Sequence, residues 1–255
     1  MLMAGACGDG VSDPFSGAQL QIYHGNTQTG RAGMPLGNGL VVRFTDSHGD
    51  PISNALITFR VTAGEGGLWT LRPPLLEGQS IYAFGTDLGV LSDTSDDAGL
   101  AGVQWQLGSS ADSQRVEASI EIPAPRIASS RVTFQATASP GYPARVMPIG
   151  GNSQAGQVGR VLPAALAALV VDKFGTPIPG EWVTWANDRA VKKSQLGGTL
   201  APASTYADKS GVARFDWTLG TTPGEDSVRV GTGFCHCGSL SISDRSVWFT
   251  STVLP

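Results

Sequence analysis

The chain has 255 residues, enough for one large domain or two ordinary ones, each able to bury its own core. A net charge of −4 with no basic run argues against nucleic acid or an anionic membrane surface as the main partner. With 15% charged residues, 34 glycines and 16 prolines, the composition is that of short strands and tight turns, an all-β chain.

Residues 1–18 read as an N-terminal tail. Met1-Leu2-Met3-Ala4-Gly5-Ala6-Cys7 lacks the basic region and the full apolar run of a secretory signal. Its small residues before Cys7, followed by polar Gly8-Asp9-Gly10, resemble the end of a bacterial lipoprotein signal. In that pattern the cysteine becomes the lipidated N-terminus, so Cys7 is the lipidation candidate. Ala4 stands where Leu, Val or Ile is usual, and further residues are expected upstream of the start. The alternative is an ordinary disordered tail. Val11 to Ala18 would be a tether or, in a polymerising protein, a mobile donor strand.

From here the chain repeats itself. Gly25-Asn26-Thr27-Gln28-Thr29-Gly30 recurs as Gly151-Asn152-Ser153-Gln154-Ala155-Gly156, an offset of 126 (151 minus 25) that holds through Thr58-Phe59 against Thr184-Trp185. Between the next blocks the offset becomes 112 (211 minus 99), matching Asp96, Gly99 and Trp105 to Asp208, Gly211 and Trp217. The first copy therefore carries about 14 extra residues within 64–94. Near the end Phe134 matches Phe249 at an offset of 115, so the second copy gains three residues.

Each copy alternates with period two, as half-buried strands do. Leu40, Val42 and Phe44 face one way, with Val41, Arg43 and Thr45 facing the other. Ile57, Phe59 and Val61 repeat the pattern, as do Ala101, Val103, Trp105 and Leu107. Roughly seven short strands per copy is the size of an immunoglobulin-like (Ig-like) sandwich. The expected fold is all-β, two tandem Ig-like β-sandwich domains at 19–138 and 144–255. Residues 139–143, Ser-Pro-Gly-Tyr-Pro, read as a short semi-rigid linker giving an end-to-end arrangement. The alanine-rich run Leu162 to Ala168 is expected to be strand, because it aligns with the strand around Leu40.

The repeated motifs are Thr45-Asp46 with Gly49-Asp50-Pro51-Ile52, Asp96-Asp97-Ala98-Gly99-Leu100-Ala101 and Trp105-Gln106-Leu107-Gly108, with their counterparts in the second copy. Together they resemble bacterial Ig-like repeats of the intimin/invasin type. The resemblance covers about residues 19–255 and implies a rigid spacer or adhesive module on a bacterial surface.

Candidate chemistry is sparse. His24, His48 and His236 sit in unrelated contexts, and His48 has Phe174 as its counterpart. Asp93-Thr94-Ser95-Asp96-Asp97 offers oxygen ligands for calcium or, equally, turn-capping carboxylates; the second copy replaces Asp97 with Lys209. Cys235-His236-Cys237 lies in the three-residue insertion. Cys235 and Cys237 are disulfide candidates, with a soft-metal site through Cys235, His236 and Cys237, or unpaired or interchain thiols, as alternatives. The first-copy insertion holds Trp69, Tyr82 and Phe84, candidates for partner contact or for a hairpin covering its own sandwich.

The expectation is a non-enzymatic, extracytoplasmic protein of the bacterial surface or outer membrane, without a cofactor. Its partner would be a protein, a surface glycan or a second copy, with no nucleic acid and membrane contact only through a lipid anchor. The alternative is a structural subunit of a surface filament or sheath, assembled by strand or edge pairing.

Overall fold

The computed structural model describes residues 15–71, 89–121, 127–187, 204–232 and 245–255, and every regular element among them is a strand. The chain divides into two compact units, Met1–Ser139 and Pro140–Pro255.

The first unit begins with β1 (Ala18–His24), β2 (Gln28–Arg31), β3 (Leu40–Thr45), β4 (Leu56–Ala63) and β5 (Gly67–Thr70). It continues with β6 (Val90–Thr94), β7 (Leu100–Gln106), β8 (Ser113–Ser119), β9 (Ile127–Ser129) and β10 (Arg131–Ser139). They form two five-stranded sheets, β5-β7-β3-β1-β9 and β2-β10-β8-β4-β6. Alternation sends Leu40, Val42, Phe44, Val103 and Trp105 inward from one sheet, and Ile57, Phe59, Val116 and Phe134 inward from the other. These side chains are 0% exposed and make one continuous core. The count exceeds seven because Gly25 breaks the first strand into β1 and β2, one per sheet, while β5 and β9 are added at edges. Gly25 is required there: its φ is +89°, and a Cβ would stand 2.1 Å from the Gly39 carbonyl oxygen.

The second unit contains β11 (Pro143–Gly150), β12 (Gln154–Gln157), β13 (Leu166–Asp172) and β14 (Trp182–Asn187). After them come β15 (Ser204–Tyr206), β16 (Val212–Phe215), β17 (Gly224–Thr232) and β18 (Ser246–Leu254). Its sheets, β11-β13-β16 and β12-β18-β17-β14-β15, reproduce the strand orders β1-β3-β7 and β2-β10-β8-β4-β6. One core substitution brings its own compensation. Phe59 becomes Trp185, whose indole N–H donates to Thr205 Oγ1 at 2.9 Å, so the larger ring is buried without an orphaned donor.

Three expectations need correction. Phe15 and Ala18 belong to the first unit's core, not to a tail: Ala18 is 0% exposed and Phe15 stacks on Phe44, with centroids 6.3 Å apart. Their burial leaves the described end of the supposed donor segment packed in its own sandwich. The run Leu162 to Ala168 is strand only from Leu166; the residues before it form the same irregular lead-in as Leu36 to Gly39. The linker is shorter than 139–143. Ser139 ends β10 and Pro143 begins β11, while the Gly141 N–H is tied to Asp172 Oδ2 at 2.8 Å.

Candidate functional site

The repeated motifs build scaffold. In each unit two hairpin turns are closed by the same aspartate clasp. Asp46 Oδ1 accepts the backbone N–H groups of His48 (2.8 Å) and Asp50 (2.9 Å), and Asp172 Oδ1 accepts those of Phe174 and Thr176, both at 2.9 Å. Asp96 Oδ1 likewise takes Ala98 and Leu100, and Asp208 Oδ1 takes Ser210 and Val212. Gly49, Gly175, Gly99 and Gly211, three residues after the aspartates, all sit at positive φ. Each satisfies turn donors that water or a side chain must otherwise meet. The donors hold two carboxyls below the usual range: Asp46 chiefly through the His48 N–H, and Asp208 chiefly through the Ser210 hydroxyl, with Val212 N–H and Arg214 behind it.

The Gly-Asn-x-Gln motif is a second staple. Asn26 Oδ1 accepts Gln135 N–H, and Asn152 Oδ1 accepts Thr250 N–H, both at 2.9 Å. Gln28 donates to the Gly25 and Asn38 carbonyls and accepts Asn38 N–H; Gln154 does the same with Gly151 and Ala164. The Asn side-chain oxygens and the Gln amides of the motif are spent on backbone.

The structure scatters the sequence candidates. His24 ends β1, exposed, and His48 lies exposed on its turn, its Nδ1 3.4 Å from Ser47 Oγ. Asp93 Oδ2 accepts Gly102 N–H at 2.8 Å and Ser95 Oγ accepts Ala55 N–H at 2.9 Å, so with Asp96 in its clasp these three calcium candidates serve backbone donors. Trp69 lies half-buried on β5 opposite Gln104. Beside it Leu71 lies over Gly39 and Gly102, where a Cβ would meet Leu71 Cδ1 at 2.7 Å, so the described start of the insertion covers its own sheet. Tyr82, Phe84, Cys7, Cys235, His236 and Cys237 lie outside the described residues. Among the described residues no three His, Cys, Asp or Glu side chains gather as a metal site.

The feature that sequence reasoning missed lies on the outer face of the second unit's five-stranded sheet. Trp182 (46% exposed) and Tyr206 (64%) meet edge-on across β14 and β15, centroids 4.9 Å apart. Trp248, 41% exposed, pairs in register with Arg229, which in turn pairs with Ala186. Between these rows run Thr184, Gly231 and Ser246, small residues in mutual register. The first unit has Leu56, Thr94 and Thr133 at the three aromatic positions. It has Arg60 and Glu117 where the second has Ala186 and Arg229, with Glu117 3.4 Å from Arg131. Among the described residues no carboxylate lies within ion-pair distance of Arg229. The signal was present in the repeat itself: the offset of 115 that matches Phe134 to Phe249 places Trp248 against Thr133, on the outward parity.

No protein-family model matches the chain, and no curated protein matches it. Among solved structures it is similar to the Escherichia coli adhesin FdeC, at 13% identity over 94% of this chain and 65% of that chain, with a TM-score of 0.51. It is also similar to Rst D1-D2 (11% identity, 92% and 99% covered, TM-score 0.42). A third is the titin I-band fragment I67–I69 (8% identity, 92% and 64% covered, TM-score 0.38). The chain thus spans about 65% of the length of the FdeC structure. At this identity the likeness to FdeC concerns fold alone. The chain is two tandem Ig-like β-sandwich domains.

Proposed function

We propose that the chain is a non-enzymatic bacterial cell-surface protein of the intimin/invasin-like kind, whose Ig-like domains space and present a binding surface. The observation that carries this reading is a division of labour between repeated and unrepeated residues. The aspartate clasps and Asn/Gln staples common to both copies are consumed by backbone hydrogen bonds. The exposed aromatics Trp182, Tyr206 and Trp248 belong to the second copy alone and stand on a rigid sheet. Large exposed aromatics do little for folding and are enriched where surfaces meet partners. The bacterial neighbour in fold is itself an adhesin, which supports the same direction.

In this reading Cys7 carries the lipid that holds the chain to the outer membrane, and Cys235 and Cys237 form a disulfide in an oxidising compartment. The partner is a protein or a glycan. Protease treatment of intact cells tests the location. Release of the chain without lysis is expected; a chain cleaved only after the cells are broken open would overturn the proposal. Intact mass with and without reductant reads the lipid and the disulfide in the same sample.

A further inference from the structure

Three registered rows cross the outer face of the second unit's larger sheet. Trp182 pairs with Tyr206; Thr184, Gly231 and Ser246 follow; Ala186, Arg229 and Trp248 complete the patch. The four residue steps along β14 from Trp182 to Ala186 span about 13 Å, and the two strand spacings from Ala186 to Trp248 about 10 Å, so the aromatic stations stand some 16 Å apart. The middle row is low: Gly231 has no side chain and its neighbours are Thr and Ser. The patch is therefore a shallow saddle with an aromatic plate on each side and one cation beside the second plate.

That chemistry is selective. A sugar ring offers an apolar C–H face to an aromatic plate and a polar rim to its surroundings, and it needs no deep pocket. Two stations too far apart for one ring call for a chain of them. Arg229 has no ion-pair partner among the described residues, and its planar guanidinium suits a carboxylate held at the edge of a ring stacked on Trp248. The first unit cancels the corresponding charge by pairing Glu117 with Arg131. With a net charge of −4 the molecule does not draw an anionic chain by its overall field, so recognition falls to this local pair and is sensitive to salt.

We infer that the saddle formed by Trp182, Tyr206, Arg229 and Trp248 binds a linear, uronate-bearing oligosaccharide. The inference rests on the surface-binding reading above and names its ligand class. The full chain is titrated by calorimetry with tetragalacturonate, with its carboxyl-reduced counterpart and with monomeric galacturonate. The tetramer is expected to bind better than the reduced sugar, and less well as salt is raised. Trp248→Ala weakens it by at least about tenfold, the loss of one contact of ~1.4 kcal/mol. Arg229→Ala brings the acidic tetramer down to the reduced one, and Trp182→Ala weakens the tetramer while leaving the monomer unchanged. Thermal unfolding of each variant confirms that it is folded.

Equal affinity for acidic and reduced sugars, or no saturation by the tetramer, would overturn the inference. So would a dimer in size-exclusion chromatography that Trp248→Ala converts to monomer, since a second copy would then own the face. The titration uses purified protein, so a failure of surface location in the protease experiment leaves its result separate.

Discussion

Arg60, Glu117 and Arg131 of the first unit occupy the register positions that Ala186, Arg229 and Ser246 occupy in the second. On one copy the outer face is a lattice of solvated charges. On the other a single arginine remains at these three positions and three aromatics stand nearby, while strand order is kept and the residues beneath still form a buried core. Outward positions of a sheet are free to change because neither the ladder nor the core depends on them. The duplicated sandwich thus separates what must be kept from what can be used.

The comparison is broken most severely in the cores, where the units are expected to behave alike. Trp105→Ala and Trp217→Ala, both at fully buried positions, should each destabilise their own unit by about 3–5 kcal/mol. Denaturant unfolding followed unit by unit reads the effect; a variant that leaves its unit's midpoint in place would contradict the shared core.

Next in size is a difference between equivalent clasps. Asp172 is 1% exposed and also holds Gly141 N–H, so Asp172→Ala should cost the second unit about 2–3 kcal/mol. Asp46, without that extra bond and more exposed, should matter less when replaced in the first unit, as thermal unfolding of the pair of variants would show.

Acid should loosen both units by one route. Asp46 and Asp208 have carboxyls held below their unfolded range, so their contribution is complete above the unfolded pKa of about 3.9 and is lost as pH falls below it. Asp208→Asn should flatten this acid limb in the second unit, read as unfolding midpoint against pH.

Smallest in stability are outer-face exchanges. Trp248→Thr and Thr133→Trp, each giving one copy the other's residue, should shift stability by less than about 1 kcal/mol. Thr133→Trp should add no sugar binding to the first unit, where Glu117 stands in the place of Arg229.

Much of this architecture was legible from the three offsets, because turns and inward residues recur for reasons that act locally. Asp46 and Gly49 predict their turn, and Phe44 and Trp105 predict their face. The irregular lead-in at Leu162 departs from the expected strand because helix-like alanines and strand alignment leave its backbone undetermined; what pins its start is Leu162 N–H donating to Trp217 O, a long-range bond. The candidate site was missed for a different reason. Trp182 and Trp185 are three residues apart on one strand, so one is buried and the other exposed, and their shared type hides the contrast. Only the pairing of β14 with β15 brings Trp182 against Tyr206, from beyond a long intervening segment.

One pairing has a mechanical meaning. In each unit the short second strand lies parallel to the last: β2 beside β10 from Gln28–Ala136 to Arg31–Ser139, and β12 beside β18 from Gln154–Ser251 to Gln157–Leu254. Tension entering at the start of the short strand and leaving at the end of the last one pulls the two in opposite directions along their length. The ladder is then loaded in shear, its bonds sharing the force rather than opening one after another. Asn26 and Asn152, bonded to Gln135 and Thr250 just ahead of each ladder, extend that clamp by one further bond. A tethered chain built this way would resist drag at both copies with the same latch.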